Sequence, residues 1–410
     1  MKILVVTQYF WPENFRINDL VLGLKQRGHK VTVLTGMPNY PEGNFYPGYG
    51  FFSPCREEFE GVPVLRVPLV PRGRGKGMML ALNFLSFAVF ASLLAPLRCR
   101  GDFDVIFVYE PSPITVGIPA LVLKIIKRAP VMFWVQDLWP ESLSATGAVK
   151  ARWLLKLVEW LVRFIYRGCD LILVQSQAFV PPVERLGGNR KIMRYFPNSA
   201  EALYAPVVLP DDAPERVNLP AGFRIMFAGS IGAAQNFGMI LDSAERLKSY
   251  PDIHWLILGD GRMLPWVKRQ IEERGLGSTV HLLGRHPVES MPRYFSLADA
   301  LLVTLRKDPI FSLTIPAKVQ SYLACGKPII AALEGEGARI IRESGAGLVC
   351  AADPPNGLAN IVLEMYNMDI KERQAMGERG QEYFKAHFER NMLLMRLEGW
   401  FKDLEQGGVA

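Results

Sequence analysis

The feature that most constrains this chain is a series of short apolar segments, each followed by an amphipathic stretch, that completes itself once and then starts again. In the first half the apolar runs lie near Ile3–Thr7, Val31–Leu34, Val64–Val67, Val105–Val108, Val131–Val135 and Leu171–Val174, with helical patterns such as Ile17–Arg27 and Ile114–Lys127 between most of them. The second half repeats the scheme near Arg224–Phe227, His254–Leu258, Val280–Leu283, Ala300–Val303 and Pro328–Ala331. Such alternation predicts parallel, doubly wound sheets. Two rounds predict two units, and the proline- and acid-rich stretch Pro197–Pro220 reads as the linker between them. A last helical pattern, Asn391–Leu404, comes after the second unit is complete and carries Met392, Leu397, Trp400 and Phe401, which need a surface to cover.

At 410 residues, 50% hydrophobic and 21% charged, the chain has material for two full cores and is neither disordered nor fibrous. Its five cysteines are scattered with no CxxC pair, which argues against a disulfide framework or a zinc site and fits a reducing compartment. The apolar run Ile3–Val6 ends at Thr7, too short for the core of a secretory signal, and reads as a strand. Charge is uneven: residues 1–200 carry 24 Lys and Arg against 14 Asp and Glu, while residues 201–410 carry 23 against 26. A basic first half suits an anionic surface, either nucleic acid or phospholipid. The basic residues lack an aromatic-stacked groove or a known module, which disfavours nucleic acid.

Met78 to Leu97 is twenty residues without a charge, among them Leu82, Phe84, Leu85, Phe87, Val89, Phe90 and Leu93. By length it could span a bilayer, but a crossing here would place the two halves of the first sheet on opposite sides. It is read either as a helix buried against the sheet or as one lying in the membrane interface. Basic residues flank it: Arg72, Arg74 and Lys76 before, Arg98 and Arg100 after. A second basic amphipathic segment, Ala151–Arg167, sets Trp153, Trp160, Phe164 and Tyr166 beside Lys156, Arg163 and Arg167. Together they favour an anionic membrane surface as partner, through residues 72–100.

In open α/β sheets ligands bind beyond the carboxyl ends of the strands, at helix N-termini. Three loops of the second half qualify. The first, Ala228 to Asn236, contains Gly229, Ser230, Gly232 and Gln235, small enough to let backbone N–H groups approach a diphosphate. It lacks the third glycine and the acidic partner of a dinucleotide fingerprint, and glycine in such a turn is also ordinary. The second, Gly259-Asp260-Gly261-Arg262, resembles a helix-capping turn. The third runs from Arg306-Lys307-Asp308-Pro309 through Pro316-Ala317-Lys318 to Cys325-Gly326-Lys327-Pro328, and its cations suit a pyrophosphate or simply the solvent. In the first half, Asp137 ends an apolar strand, placed either to face a ligand or to cap the next helix. Glu110 is placed similarly before Pro111. The loop Trp11–Arg16 opens the first helix. No His, Asp or Glu cluster has metal spacing.

In order along the second half, AGSIG, LILGDG, VHLLGR and the PAK…YLACGKPII block resemble glycosyltransferase family 4, retaining enzymes of the GT-B type, over essentially the whole chain. The string Phe133-Trp134-Val135-Gln136-Asp137-Leu138-Trp139-Pro140-Glu141-Ser142 resembles the subgroup typified by WbuB, assigned as an L-fucosamine transferase. The resemblance implies an α/β GT-B fold with two Rossmann-like domains facing a cleft and a C-terminal helix crossing back to the first. It implies an acceptor-binding domain over residues 1–198, completed by 387–410, and a nucleotide-sugar-binding domain over 199–386. Three motif places of the wider family differ: its Glu-x7-Glu pair falls on Leu313 and Ser321, the Arg and Lys of its glycine loop on Ser230 and Gln235, and its histidine on Gln136.

Carried onto this chain, the resemblance implies Asp137, Gln136 and Glu110 as catalytic residues. It implies Gly229, Ser230, Gly232, Gln235, Arg285, Arg306, Lys307, Lys318 and Ser321 as donor-binding, and Asn14, Arg16 and Glu141 as acceptor-binding. The implied activity is metal-independent, retaining transfer from a UDP-sugar, with no cofactor, to a polyprenyl-diphosphate-linked saccharide. The donor sugar implied is a 6-deoxy N-acetylhexosamine. The setting is bacterial O-antigen or capsule synthesis, on the inner face of the cell membrane. A UDP-sugar 2-epimerase and a catalytically inactive sugar-binding GT-B protein are the alternatives.

Overall fold

A computed structural model of the chain describes residues 1–73, 77–145, 151–217, 219–353 and 356–407. Two compact units result, one formed by Met1–Pro197 with Leu394–Ala410 and the other by Asn198–Leu393.

The first unit contains β1 (Lys2–Val6), α1 (Arg16–Gln26), β2 (Lys30–Gly36), β3 (Arg56–Phe59), β4 (Val62–Val67), α2 (Gly77–Arg98), β5 (Val105–Glu110), α3 (Gly117–Lys127), β6 (Val131–Val135), α4 (Glu141–Ala145), α5 (Arg152–Gly168), β7 (Leu171–Val174), α6 (Val180–Arg185) and β8 (Met193–Tyr195). They build an eight-stranded sheet in the order β3-β4-β2-β1-β5-β6-β7-β8, parallel except for the β3–β4 hairpin. Val5 of β1 lies opposite Val33 of β2 and Phe107 of β5. Every residue of β5 and β6 is buried, as expected for strands covered on both faces.

The long apolar segment forms α2, one face of which is buried against the unit while the opposite face is exposed. Asn83, Phe87, Ala88, Ala91 and Ala95 are buried. The Asn83 amide donates to Asn39 Oδ1 at 3.2 Å and to the Val70 carbonyl at 2.6 Å, while its Oδ1 accepts from Gln8 Nε2 at 2.7 Å. The opposite face shows Met78, Leu82, Leu85, Val89, Leu93 and Leu97 to solvent, spaced one helical turn apart. Among the described residues α2 is the helix long and apolar enough to cross a membrane. The flanking Arg74 and Lys76 lie outside the described residues.

The second unit contains β9 (Phe223–Ala228), α7 (Phe237–Arg246), β10 (Ile253–Leu258), α8 (Leu264–Glu273), β11 (Val280–Gly284), α9 (Met291–Ser296), β12 (Ala300–Thr304), α10 (Pro309–Leu313), α11 (Ala317–Ala324), β13 (Ile329–Ala332), α12 (Gly335–Ser344), β14 (Gly347–Cys350), α13 (Asn356–Asn367) and α14 (Ile370–His387). Its six strands are all parallel, in the order β11-β10-β9-β12-β13-β14. The stretch read as a linker is folded onto this unit: Leu209 and Ala213 pack with Leu297, and Arg293 holds Glu215 through two hydrogen bonds of 2.5 and 2.8 Å.

The last helix, α15 (Arg390–Glu405), brings Phe401 edge-on to Phe107 at 5.8 Å and Trp400 to Phe196 at the same distance. Glu398 accepts from Arg27 Nε at 2.9 Å and pairs with His29 Nε2 at 2.7 Å. Apolar packing and ion pairing therefore both tie α15 to the first unit.

Candidate functional site

In the second unit, the loops that leave β9 and β10 are joined backbone to backbone. Gly229 N–H donates to the Leu258 carbonyl at 2.9 Å, Ile231 N–H to Asp260 at 2.8 Å, and Gly259 N–H to Gly284 at 2.7 Å. Gly259 has φ +138°, and a Cβ placed on it would sit 1.9 Å from the Gly229 carbonyl oxygen. Only glycine fits both the dihedral and the gap. Replacing Gly259 with alanine is expected to cost roughly 3 kcal/mol or more of unfolding free energy in urea titration, because backbone has to move rather than a side chain.

A cavity of about 260 Å³ opens beside this junction, walled by Gly229, Ser230, Gly259 and Asp260, with Arg285, His286 and Met291 on its far side. Behind Gly229, Lys318 enters from the first turn of α11. Its ammonium lies 3.5 Å from the centre of the Phe227 ring and 3.4 Å from Gln235 Oε1. Burial pushes that ammonium down to about 7, since little nearby replaces its lost hydration. Arg306 follows β12, and its backbone N–H donates to the Ala234 carbonyl at 2.9 Å. Its guanidinium is exposed. A glycine-walled recess lined by Arg285, with Lys318 behind Gly229, at the carboxyl edge of a parallel sheet is suited to a diphosphate.

In the first unit, Glu110 ends β5 fully buried, and its Oε2 accepts the Asp137 N–H at 3.5 Å. Burial, and secondarily the Asp137 charge, push Glu110 well above the usual carboxylate range. Asp137 is raised by burial too, opposed mainly by hydrogen bonds from Ser142 and Trp139. On the other side of β1, Glu13 is buried under three backbone donors: Asn39 N–H at 2.8 Å, Tyr40 N–H at 2.7 Å and Phe10 N–H at 3.2 Å. Burial still raises it to about 7. This carboxylate joins the loops after β1 and β2 along one edge of the sheet.

Residues 14–199 match the family described as glycosyl transferase 4-like domain, and residues 222–368 match glycosyl transferases group 1. The chain belongs to the GT-B glycosyltransferases. It is 28% identical to WbjE of Pseudomonas aeruginosa, named as a glycosyltransferase, over 58% of this chain and 60% of that one. It is 25% identical to WcaI of Escherichia coli (strain K12), named for colanic acid biosynthesis, over 80% and 82% of the two chains. Among solved structures it is similar to Anabaena HepE in complex with UDP, with TM-score 0.71 at 16% identity, covering 98% of this chain and all of the other.

Within this GT-B glycosyltransferase the structure groups some of the sequence-selected residues and separates others. Gly229, Ser230 and Arg285 line the cavity, and Gln235 and Lys318 meet behind it. Gly232 lies on the same loop outside the lining. Lys307 is exposed and turned towards Glu334 at 3.6 Å. The Ser321 hydroxyl donates to the Ala317 carbonyl of its own helix at 3.2 Å. The Gly259–Arg262 turn does not cap a helix: Asp260 accepts from its neighbour Gly261 at 2.7 Å, and α8 starts without a side-chain cap. Glu110, Gln136 and Asp137 lie together, and the Gln136 carbonyl accepts from Gln175 Nε2 at 2.7 Å. Glu141 pairs with Arg185, Asn14 is exposed, and Arg16 opens α1 close enough to influence Tyr109. Sequence reasoning missed Glu13, His286 and Met291. For Glu13 the only sequence signal was an acid inside an aromatic, proline-bearing loop.

Proposed function

We propose that this glycosyltransferase moves a sugar from a UDP-sugar to a saccharide carried on a polyprenyl diphosphate, at the inner face of a bacterial membrane, in surface-polysaccharide synthesis. The observation that carries the reading is the recess formed by Gly229, Ser230 and Gly259 with Lys318 behind it. The UDP held by HepE and the pathway in WcaI's name support donor and setting. In this reading Lys318, Arg306 and Arg285 neutralise charge that develops on the departing diphosphate. Glu110 and Asp137, both biased towards the neutral form, serve as hydrogen-bonding groups rather than nucleophiles. Retention then relies on the leaving diphosphate to accept the proton of the attacking hydroxyl, and no metal is required.

The exposed apolar face of α2 supports a membrane-bound acceptor. Ile125 and Ile126 of α3, and Trp153, Leu157, Trp160 and Phe164 of α5, add exposed apolar surface. Neither α2 nor α3 contains an acidic residue, and α5 has only Glu159, so the charge suits an anionic lipid surface. The donor is a 6-deoxy sugar in this reading. Gln136 replaces a histidine and cannot become positively charged.

The test is release of UDP on adding a prenyl-diphosphate-linked saccharide, with UDP-N-acetylfucosamine and UDP-N-acetylglucosamine compared as donors. Lipid-dependent release, faster with the first donor, is expected. Release without lipid would point to an epimerase or hydrolase instead. Equal or faster turnover of the second donor would overturn the choice of sugar alone.

A further inference from the structure

We propose that Arg72 binds a phosphate of the lipid-linked acceptor, on an aromatic platform built by loops of the first unit. Arg72 lies in the loop after β4, its guanidinium carbon 4.7 Å from the centre of the Tyr40 ring and 5.9 Å from that of Tyr9. Beneath it the rings of Tyr9 and Phe15 stack at 5.1 Å, and Tyr40 leans on both. The position is fixed from three sides. Arg72 N–H donates to Asn39 Oδ1 at 3.1 Å, the atom that also holds Asn83 of α2. The next residue, Gly73, donates to the Gly43 carbonyl at 2.9 Å, and a Cβ on Gly43 would fall 1.6 Å from the Gly73 carbonyl oxygen. Glu13 in turn clamps the Tyr40 N–H.

A guanidinium stacked on rings keeps its in-plane N–H donors free for a planar or tetrahedral anion. Among the described residues no carboxylate lies within ion-pair distance of Arg72, in contrast to Arg66 nearby, which is buried and paired with Glu57. The anion it would meet therefore arrives from outside. Its place says from where, because Gly73 lies beside Met79, in the first turn of the helix whose outer face is apolar. A phosphate presented there comes from a molecule with an apolar tail in the bilayer. A diphosphate carries more charge than a phosphodiester and suits bidentate donation better.

This inference rests on the acceptor part of the proposed function, and its test separates the two. The parent protein, Arg72→Ala and Arg72→Lys are titrated with farnesyl diphosphate, inorganic pyrophosphate, UDP and vesicles of phosphatidylglycerol. Arg72→Ala is expected to weaken farnesyl diphosphate roughly tenfold to a hundredfold, the range for charge-assisted hydrogen bonds, with UDP affinity unchanged. Arg72→Lys is expected to recover part of the loss, and pyrophosphate to bind more weakly than the prenylated compound. Farnesyl diphosphate binding equally well to the parent and Arg72→Ala would overturn the assignment. So would an equal loss of vesicle binding, which would make Arg72 a phospholipid contact. Failure of the parent to bind UDP would instead count against the donor reading and leave the Arg72 comparison intact.

Discussion

Replacing Leu85 and Leu93 together with aspartate is expected to lower partitioning onto anionic vesicles by about a thousandfold without unfolding the protein. Both side chains stand on the outer face of α2, 53% and 66% exposed. Folding gains little from them, so far-ultraviolet circular dichroism and the urea midpoint should stay close to the parent's. A bilayer would gain from them: burying one leucine is worth roughly 1.5–3 kcal/mol, and two sites lose roughly 3–6 kcal/mol before the aspartates add repulsion from anionic lipid. Phe87 provides the contrast, because it is fully buried on the same helix. Phe87→Ser should reduce stability by about 3–5 kcal/mol, and any loss of vesicle binding there would follow unfolding. Vesicle flotation of the double-aspartate variant decides the matter, and unaltered binding would leave α2 without its proposed role.

The affinity for UDP is expected to fall as pH rises from 7 to 8.5, and Lys318→Met is expected to remove that dependence. The free protein holds the Lys318 ammonium down to about 7, so near pH 8 it is largely uncharged. A diphosphate favours the charged form, and binding therefore draws in a proton; the limiting slope is about tenfold in affinity per pH unit. At pH 7 the methionine variant should bind UDP roughly tenfold to a hundredfold more weakly. Its folding should behave oppositely. An unfolded chain carries this lysine with a pKa near 10.4, so it binds more protons than the folded chain between about 7 and 10.4. The parent's stability should rise with pH across that window through this group, and the variant should lose that rise. Calorimetry in two buffers of different ionisation enthalpy measures the proton uptake directly. A flat affinity profile in the parent, or UDP binding retained by the variant, would remove Lys318 from the donor site.

The alternation of strands and helices was readable because parallel strands covered on both faces keep apolar residues at nearly every position, as β5 and β6 do. Three strands escaped notice, all short and each at a sheet edge: β3 reads REEF and β8 reads MRY, at the two edges of the first sheet, and β14 reads GLVC, at an edge of the second. Glu110 and Asp137 stood out because a charge ends an apolar run. Glu13 and Arg72 did not, because their surroundings come from loops that the order β4-β2-β1 brings together across the chain. α2 was legible in length but not in facing. Apolar side chains all round carry no period, and Asn83 and Ser86 marked the side where hydrogen bonds to the Val70 backbone awaited them.

The path of α15 has a consequence for how this protein is made. Phe107, Phe196 and His29 are synthesised early, yet Phe401, Trp400 and Glu398 emerge only after the whole second unit. Domains of a growing polypeptide usually mature in order from the amino end. The first unit therefore gains this apolar cover only after residues 198–393 of the second have been made. The unit begun first is completed after the second, and deleting residues 394–407 is expected to expose Phe107 and Phe196 while leaving the second unit closed.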